Sequence, residues 1–155
     1  MTIKYKIQSA SEENICQHLF ACNHNFIPPL ESVVNIKNYS AKIKDNGITV
    51  EAWSGSRLVG MIAVYLNDFE SRMGYITNVS VMSDYSGQGI ASRLLNNCIE
   101  LVKERSFNSI LLEVNEKNKS AVGLYVKFNF RKVSEPSKEN FIKMKLDLSG
   151  NPNSK

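Results

Sequence analysis

Apolar and polar residues alternate through Ile3, Tyr5 and Ile7, the period-two pattern of a half-buried strand. Ser9 with Glu12 has the spacing of a capping box, predicting a helix that runs to about Ala21. Asn23 to Pro29 reads as a loop, because Pro28-Pro29 cannot continue a helix and pushes its neighbour to extended geometry. A second helix is expected over Ile36 to Lys44, stopping at Asn46-Gly47. Ile48 to Trp53 and Leu58 to Leu66 are strand-like runs joined by the hairpin signature Ser54-Gly55-Ser56-Arg57.

After a polar turn at Asn67 to Arg72 comes a strand, Tyr75 to Val81. A long amphipathic helix then begins near Gly87 and ends near Arg105, with Ile90, Ala91, Leu94, Leu95, Cys98, Ile99 and Val102 at helical spacing. Ser109 to Val114 is a short strand with Ile110, Leu112 and Val114 on one face and Leu111 and Glu113 on the other. A helix over Asn118 to Phe128 follows, and strands Phe130 to Val133 and Phe141 to Leu148 form a closing hairpin around Pro136. Strand-helix-strand from Tyr75 to Val114 implies one parallel pair with a right-handed crossover, and the hairpins imply antiparallel pairs elsewhere. The expected fold is mixed α/β (α+β): seven strands in a mostly antiparallel sheet with helices on both faces. Residues 1–148 should form one domain, and residues 149–155 a disordered tail.

Composition changes this picture little. A chain of 155 residues can bury a substantial core without staples. The formal charge of +4 is mild, and no basic block with interleaved aromatics suggests nucleic acid. Cys16, Cys22 and Cys98 are odd in number and lack metal-type spacing, so no metal is expected; reduced thiols and a cytoplasmic location are the economical reading. Met1 to Ala10 lacks the long apolar region of a signal peptide, and no apolar run reaches the length of a membrane span. His18 and His24 have no neighbours suggesting a triad and read as surface or loop residues.

The chemistry concentrates at Tyr85-Ser86-Gly87-Gln88-Gly89-Ile90-Ala91, between a strand and a helix. Glycines there allow a sharp turn and close approach to a ligand. The helix start offers unpaired N–H groups and a partial positive charge, a natural seat for a phosphate. With no Gly-Lys-Ser/Thr run, this is no P-loop; Gly87-Gln88-Gly89 also lacks the third glycine and later acidic residue of a dinucleotide site.

Ile76-Thr77-Asn78-Val79-Ser80-Val81, then Tyr85 to Ala91, then Asn118-Lys119-Ser120-Ala121 with Leu124-Tyr125 and Phe130, together resemble the GCN5-related N-acetyltransferase (GNAT) superfamily. Gly89 and Ala91 occupy the small positions of its glycine signature. Ser86 stands where the family usually has Arg or Gln, and Asn129 replaces the glycine usual before the last phenylalanine. Asparagine tolerates a left-handed helix end, so the fold should accept it. The resemblance implies the acyl-CoA N-acyltransferase fold, with a bulge in the strand Tyr75 to Val81 that splays it from Ser109 to Val114. Acetyl-CoA would lie in the resulting V as co-substrate. Val79, Ser80 and Val81 would flank its pantetheine arm, with the backbone of Val79 and Val81 pairing to it. Amides of Ser86, Gly87, Gln88, Gly89, Ile90 and Ala91, with Ser92, would hold the pyrophosphate, and Asn118 would contact the cofactor across the cleft.

Acetyl transfer to an amine needs a proton removed from the amine and one supplied to the departing thiolate. Tyr125 is the candidate acid on this resemblance, although it equally fits the apolar stripe Ala121, Leu124, Tyr125 and Phe128. Glu113 is the candidate base, by similarity of its spacing from Asn118 and Tyr125 to ribosomal-protein alanine acetyltransferases; a strand-end carboxylate paired with Lys117 is the other reading. Glu51 and Asp68 are weaker alternatives. The partner beyond acetyl-CoA is expected to be a small polar amine, such as an amino sugar or amino acid. A protein N-terminus is the runner-up, and a non-catalytic acyl-CoA-binding module the alternative of another class. Homodimers are common among relatives, and the sequence leaves that open.

Overall fold

The computed structural model describes residues 2–148, so the tail expected at 149–155 lies outside the described residues. Seven strands, β1 (Ile3–Ile7), β2 (Ile48–Ser54), β3 (Arg57–Tyr65), β4 (Met73–Val81), β5 (Ser109–Asn115), β6 (Arg131–Lys132) and β7 (Phe141–Asp147), form one sheet. Their order is β1-β2-β3-β4-β5-β7-β6, and the pair β4/β5 is parallel while its neighbours are antiparallel. Four helices, α1 (Glu12–Cys22), α2 (Ile36–Asn46), α3 (Ile90–Glu104) and α4 (Lys119–Lys127), cover the two faces. The mixed, mostly antiparallel sheet is the one the alternation predicts.

Each face buries its own apolar layer. Leu94, Leu95, Cys98 and Val102 of α3 pack with Val50, Ile62, Ile110 and Leu112, and Tyr125 of α4 joins the same cluster. Ile15 and Leu19 of α1 and Ile43 of α2 pack with Trp53, Met61 and Ala63 on the other side. Fully burying one such side chain contributes about 1.5–3 kcal/mol. Gly60 sets how closely α3 approaches β3: a Cβ there would lie 3.0 Å from Ile90 Cγ2 and 3.1 Å from Leu94 Cδ1.

Several local expectations need correction. The capping box of α1 is Ser11 with Asn14, not Ser9 with Glu12. Ser9 instead donates its N–H and hydroxyl to Glu51, a carboxylate with no solvent exposure. Glu51 also accepts from Ala10 N, Thr49 Oγ1 and Trp53 Nε1. Burial alone would raise its pKa, but the hydrogen bonds from Ser9, Thr49, Ala10 and Trp53 outweigh this and hold it below the ordinary carboxylate value. A carboxylate so occupied is a structural tie between β1, β2 and the start of α1, not a base. Asp68 is likewise occupied, closing its own turn through the Ser71 N–H and hydroxyl.

His18 is buried, not a surface residue. It falls on the α1 stripe Ile15, His18, Leu19, Cys22, a spacing that the apolar pattern already contained. Its Nδ1 lies 3.0 Å from Leu58 O and its Nε2 2.9 Å from Ser80 Oγ. Finally, α3 starts at Ile90, after a short 3-10 turn at Ser83–Tyr85, rather than near Gly87.

Candidate active site

Two strands begin side by side and then part. β4 pairs with β5 only through Met73 to Ile76 against Ser109 to Leu112. On its other side β4 pairs with β3 in a register that places Asn78 opposite Ala63 but Ile76 opposite Val64, so Thr77 is the extra residue of a bulge. Past the bulge, β5 continues against β7 alone. The backbone of β4 from Thr77 to Val81 therefore has no strand partner on the β5 side. Tyr39 of α2 holds the bulge in place, donating its hydroxyl to Thr77 O at 2.7 Å and meeting Thr77 Oγ1 at 2.8 Å. Burial pushes the Tyr39 pKa up to about 12, so this donor keeps its proton.

Two cavities open from the gap between the strands. The first, about 410 Å³, runs from Val79, Ser80 and Val81 to the glycine turn and the first residues of α3. Gly87 and Gly89 adopt positive φ, 76° and 80°, and a Cβ at either would meet nothing within 4 Å, so the turn faces open space. Gly89 caps α3 with no side-chain hydrogen bond, which leaves the first helical N–H groups available for an anion. Ser86, Gly87, Gly89, Ile90, Ala91 and Ser92 line this cavity; Gln88 is exposed and is not in its wall. The Ser86 hydroxyl donates to Ser83 O at 2.8 Å, closing the 3-10 turn.

The second cavity, about 390 Å³, lies between the segment Phe26 to Val34, the open half of β4, the end of β5 and α4. Val79, Asn118, Ala121 and Tyr125 line both, so the two chambers meet at α4. Asn118 is the N-cap of α4, its side-chain oxygen accepting from Ala121 N at 3.3 Å, which leaves its amide hydrogens free to donate. Tyr125, about two turns further on, is buried, tilts against Phe130 at 5.7 Å between ring centroids, and has its pKa raised by desolvation. Asn129, just beyond α4, adopts the left-handed φ of 73° expected of it.

Glu113 is an exposed residue of β5 whose side chain lines the second cavity. It lies near Tyr75, whose pKa is raised by burial first and by the Glu113 charge second. Lys143, not Lys117, is its cross-strand neighbour on β7. The structure thus gathers Glu113, Asn118, Tyr125 and the glycine turn around one cleft. Sequence reasoning missed Tyr39, Tyr75 and the role of Thr77. Tyr39 gives no local signal, since a tyrosine on the stripe of α2 looks like any core residue.

The cleft thus combines an unpaired stretch of β4 backbone with the uncapped first turn of α3. The acetyltransferase (GNAT) family model matches residues 13–130 of this chain. A candidate alanine N-acetyltransferase of ribosomal protein bS18 from Bacillus subtilis is 38% identical over 56 residues, which is 36% of this chain and 37% of that relative. The chain thus spans about two fifths of the length of the curated relatives it matches. Among solved structures, the ribosomal-protein-S18-alanine N-acetyltransferase from Escherichia coli superposes with a TM-score of 0.71 at 18% identity, covering 96% of each chain. The PaiA N-acetyltransferase from Thermoplasma acidophilum, solved in complex with coenzyme A, gives 0.73 at 15% identity, covering 96% of this chain and 100% of its own.

Proposed function

The chain belongs to the GNAT acetyltransferase family, and on that premise we propose that it transfers an acetyl group from acetyl-CoA directly to a primary amine in a ternary complex. One observation carries this reading: two cavities, one at an anion-binding glycine turn and one at Glu113, meet at Tyr125. A thioester held along β4 from Thr77 to Val81 would reach the junction from one side and an amine from the other.

The chain's own residues then have distinct tasks. The α3 amides and the left-handed glycines bind the pyrophosphate, and the unpartnered β4 backbone orients the arm. Glu113 takes the proton of the ammonium, directly or through water. Tyr125 gives a proton to the departing sulfur and is restored by the second proton that the acetylated nitrogen loses. A tyrosine of raised pKa is a weak acid, yet the sulfur leaves in the same dry place. Desolvation raises the basicity of a departing thiolate in the same direction as it raises the Tyr125 pKa.

Tyr125→Phe should lower kcat by about 10²- to 10⁴-fold while the dissociation constant for acetyl-CoA stays unchanged. Equal turnover by the variant at every pH would remove Tyr125 from the mechanism. A protein N-terminus as acceptor is the second reading, favoured by the name of the Bacillus subtilis relative and by the placement of Glu113 and Tyr125. If no amine or peptide releases thiol from acetyl-CoA although the cofactor binds, the domain is an acyl-CoA-binding module instead.

A further inference from the structure

Resting on the acceptor chamber proposed above, we infer that the amine it takes is a free monoamine with an apolar alkyl or aromatic body, without a carboxylate and without ring hydroxyls. Among the described residues lining the chamber of about 390 Å³, Glu113 alone is charged. One carboxylate matches one ammonium. A free amino acid would bring a second carboxylate to a wall with no Lys or Arg, and a polyamine would bring a second ammonium with no second acid.

Most polar side chains of the wall are already engaged within the protein, the Asn118 amide hydrogens and the hydroxyls of Tyr75 and Tyr125 apart. Tyr39 and Thr77 hold each other. Asn78 Oδ1 accepts from Ser80, Asn115 donates to Glu139 O and accepts from Lys117 N, and Asn118 Oδ1 caps α4. A sugar would bring more hydroxyls, and a peptide more amide groups, than these few remaining partners could satisfy.

The rest of the wall is hydrocarbon: Phe26, Ile27, Pro28, Leu30, Val33 and Val34. Ile27 and Val33 remain 44% and 57% exposed, so the apolar surface continues outward to the rim. Phe141 stands in the same wall. One carboxylate beside a wall that is otherwise largely hydrocarbon fits a molecule that is cationic at one end and apolar along its length. This replaces the small polar acceptor expected of the sequence with a different chemical class.

The test has two readouts. Thiol release from acetyl-CoA is measured with phenethylamine, isoamylamine, glucosamine, leucine, spermidine and a tetrapeptide beginning with leucine. Calorimetric binding of the same amines to the CoA-loaded protein is measured in parallel. The inference expects phenethylamine or isoamylamine to exceed the hydroxylated, carboxylated and polycationic amines and the peptide by at least about tenfold in kcat/KM and in affinity, since even one methylene in an apolar pocket is worth about that much. Val33→Lys at the exposed rim should raise KM for the apolar amine several-fold with KM for acetyl-CoA unchanged. A preference for glucosamine, leucine, spermidine or the peptide overturns the inference while leaving the acetyltransferase reading intact. If no amine is turned over, that reading fails, and the calorimetric ranking still decides what the chamber binds.

Discussion

Ser86 shows how one side chain can be judged only with its neighbours in place. Its hydroxyl closes the turn at Ser83 and is exposed, so it holds the loop rather than reaching for a phosphate. The pyrophosphate seat then depends on backbone amides and on the glycines at φ 76° and 80°. Ser86→Arg adds a charge-assisted donor at the cavity wall. It should tighten CoA binding by up to about tenfold at low salt, and the gain should shrink at high salt because the site is exposed. Titration of CoA at two ionic strengths checks this, and an unchanged dissociation constant at both would show that the loop points an arginine elsewhere. Tyr125 belongs to the same scale. It sits in the apolar cluster and lines both cavities, so the structural and catalytic readings of it are compatible.

Among the elements, β4 decides most. The extra residue Thr77 parts it from β5, and the Tyr39 hydroxyl reaches from α2 to fix that bulge. Tyr39→Phe removes the clamp and should raise KM for acetyl-CoA several-fold, with a loss of stability of about 1 kcal/mol. A change in stability alone, with both Michaelis constants kept, would confine Tyr39 to a structural role. A second tie acts where β1, β2 and α1 meet. Glu51→Gln replaces an acceptor of five hydrogen bonds with a group that presents two N–H donors to other donors. Denaturant unfolding should report a loss of about 2–4 kcal/mol, with m unchanged. A variant as stable as the parent would mean that the carboxylate is dispensable.

For the whole molecule, the buried ionisable groups predict how stability follows pH. Burial is the largest influence on His18 and lowers its pKa to about 4, against hydrogen bonds to Leu58 and Ser80 that raise it and the Arg57 charge that lowers it further. In the unfolded chain the ordinary value of 6.5 returns. The folded state holds His18 neutral, so its contribution is complete above 6.5 and is lost as pH falls toward 4, because only the unfolded chain takes up the proton. Unfolding free energy at pH 5 should lie about 2 kcal/mol below that at pH 7. The Glu51 contribution is lost in a lower window, beginning below the ordinary carboxylate value and continuing through its depressed pKa. His18→Gln should flatten the slope between pH 7 and 5 and leave the acid-side loss. A slope that His18→Gln does not change would assign it to other groups.

The sequence by itself determined the seven strands, the parallel crossover, the glycine turn and the left-handed Asn129. These features are local, each written in a period of two or 3.6 or in a backbone conformation that few residues tolerate. It held the stripe that buries His18, too, although a histidine on an apolar stripe is easily read as a loop residue. The tertiary structure alone decided the rest. That Thr77 is the bulged residue follows from pairing with Ala63 and Val64 on another strand. Tyr39 meets it from 38 residues away. The apolar chamber joins Phe26 to Val34 with Glu113 and Phe141, and the burial of Glu51 depends on donors 41 and 42 residues distant. Contacts between residues far apart in the chain leave no periodic trace, because packing, not spacing, brings them together.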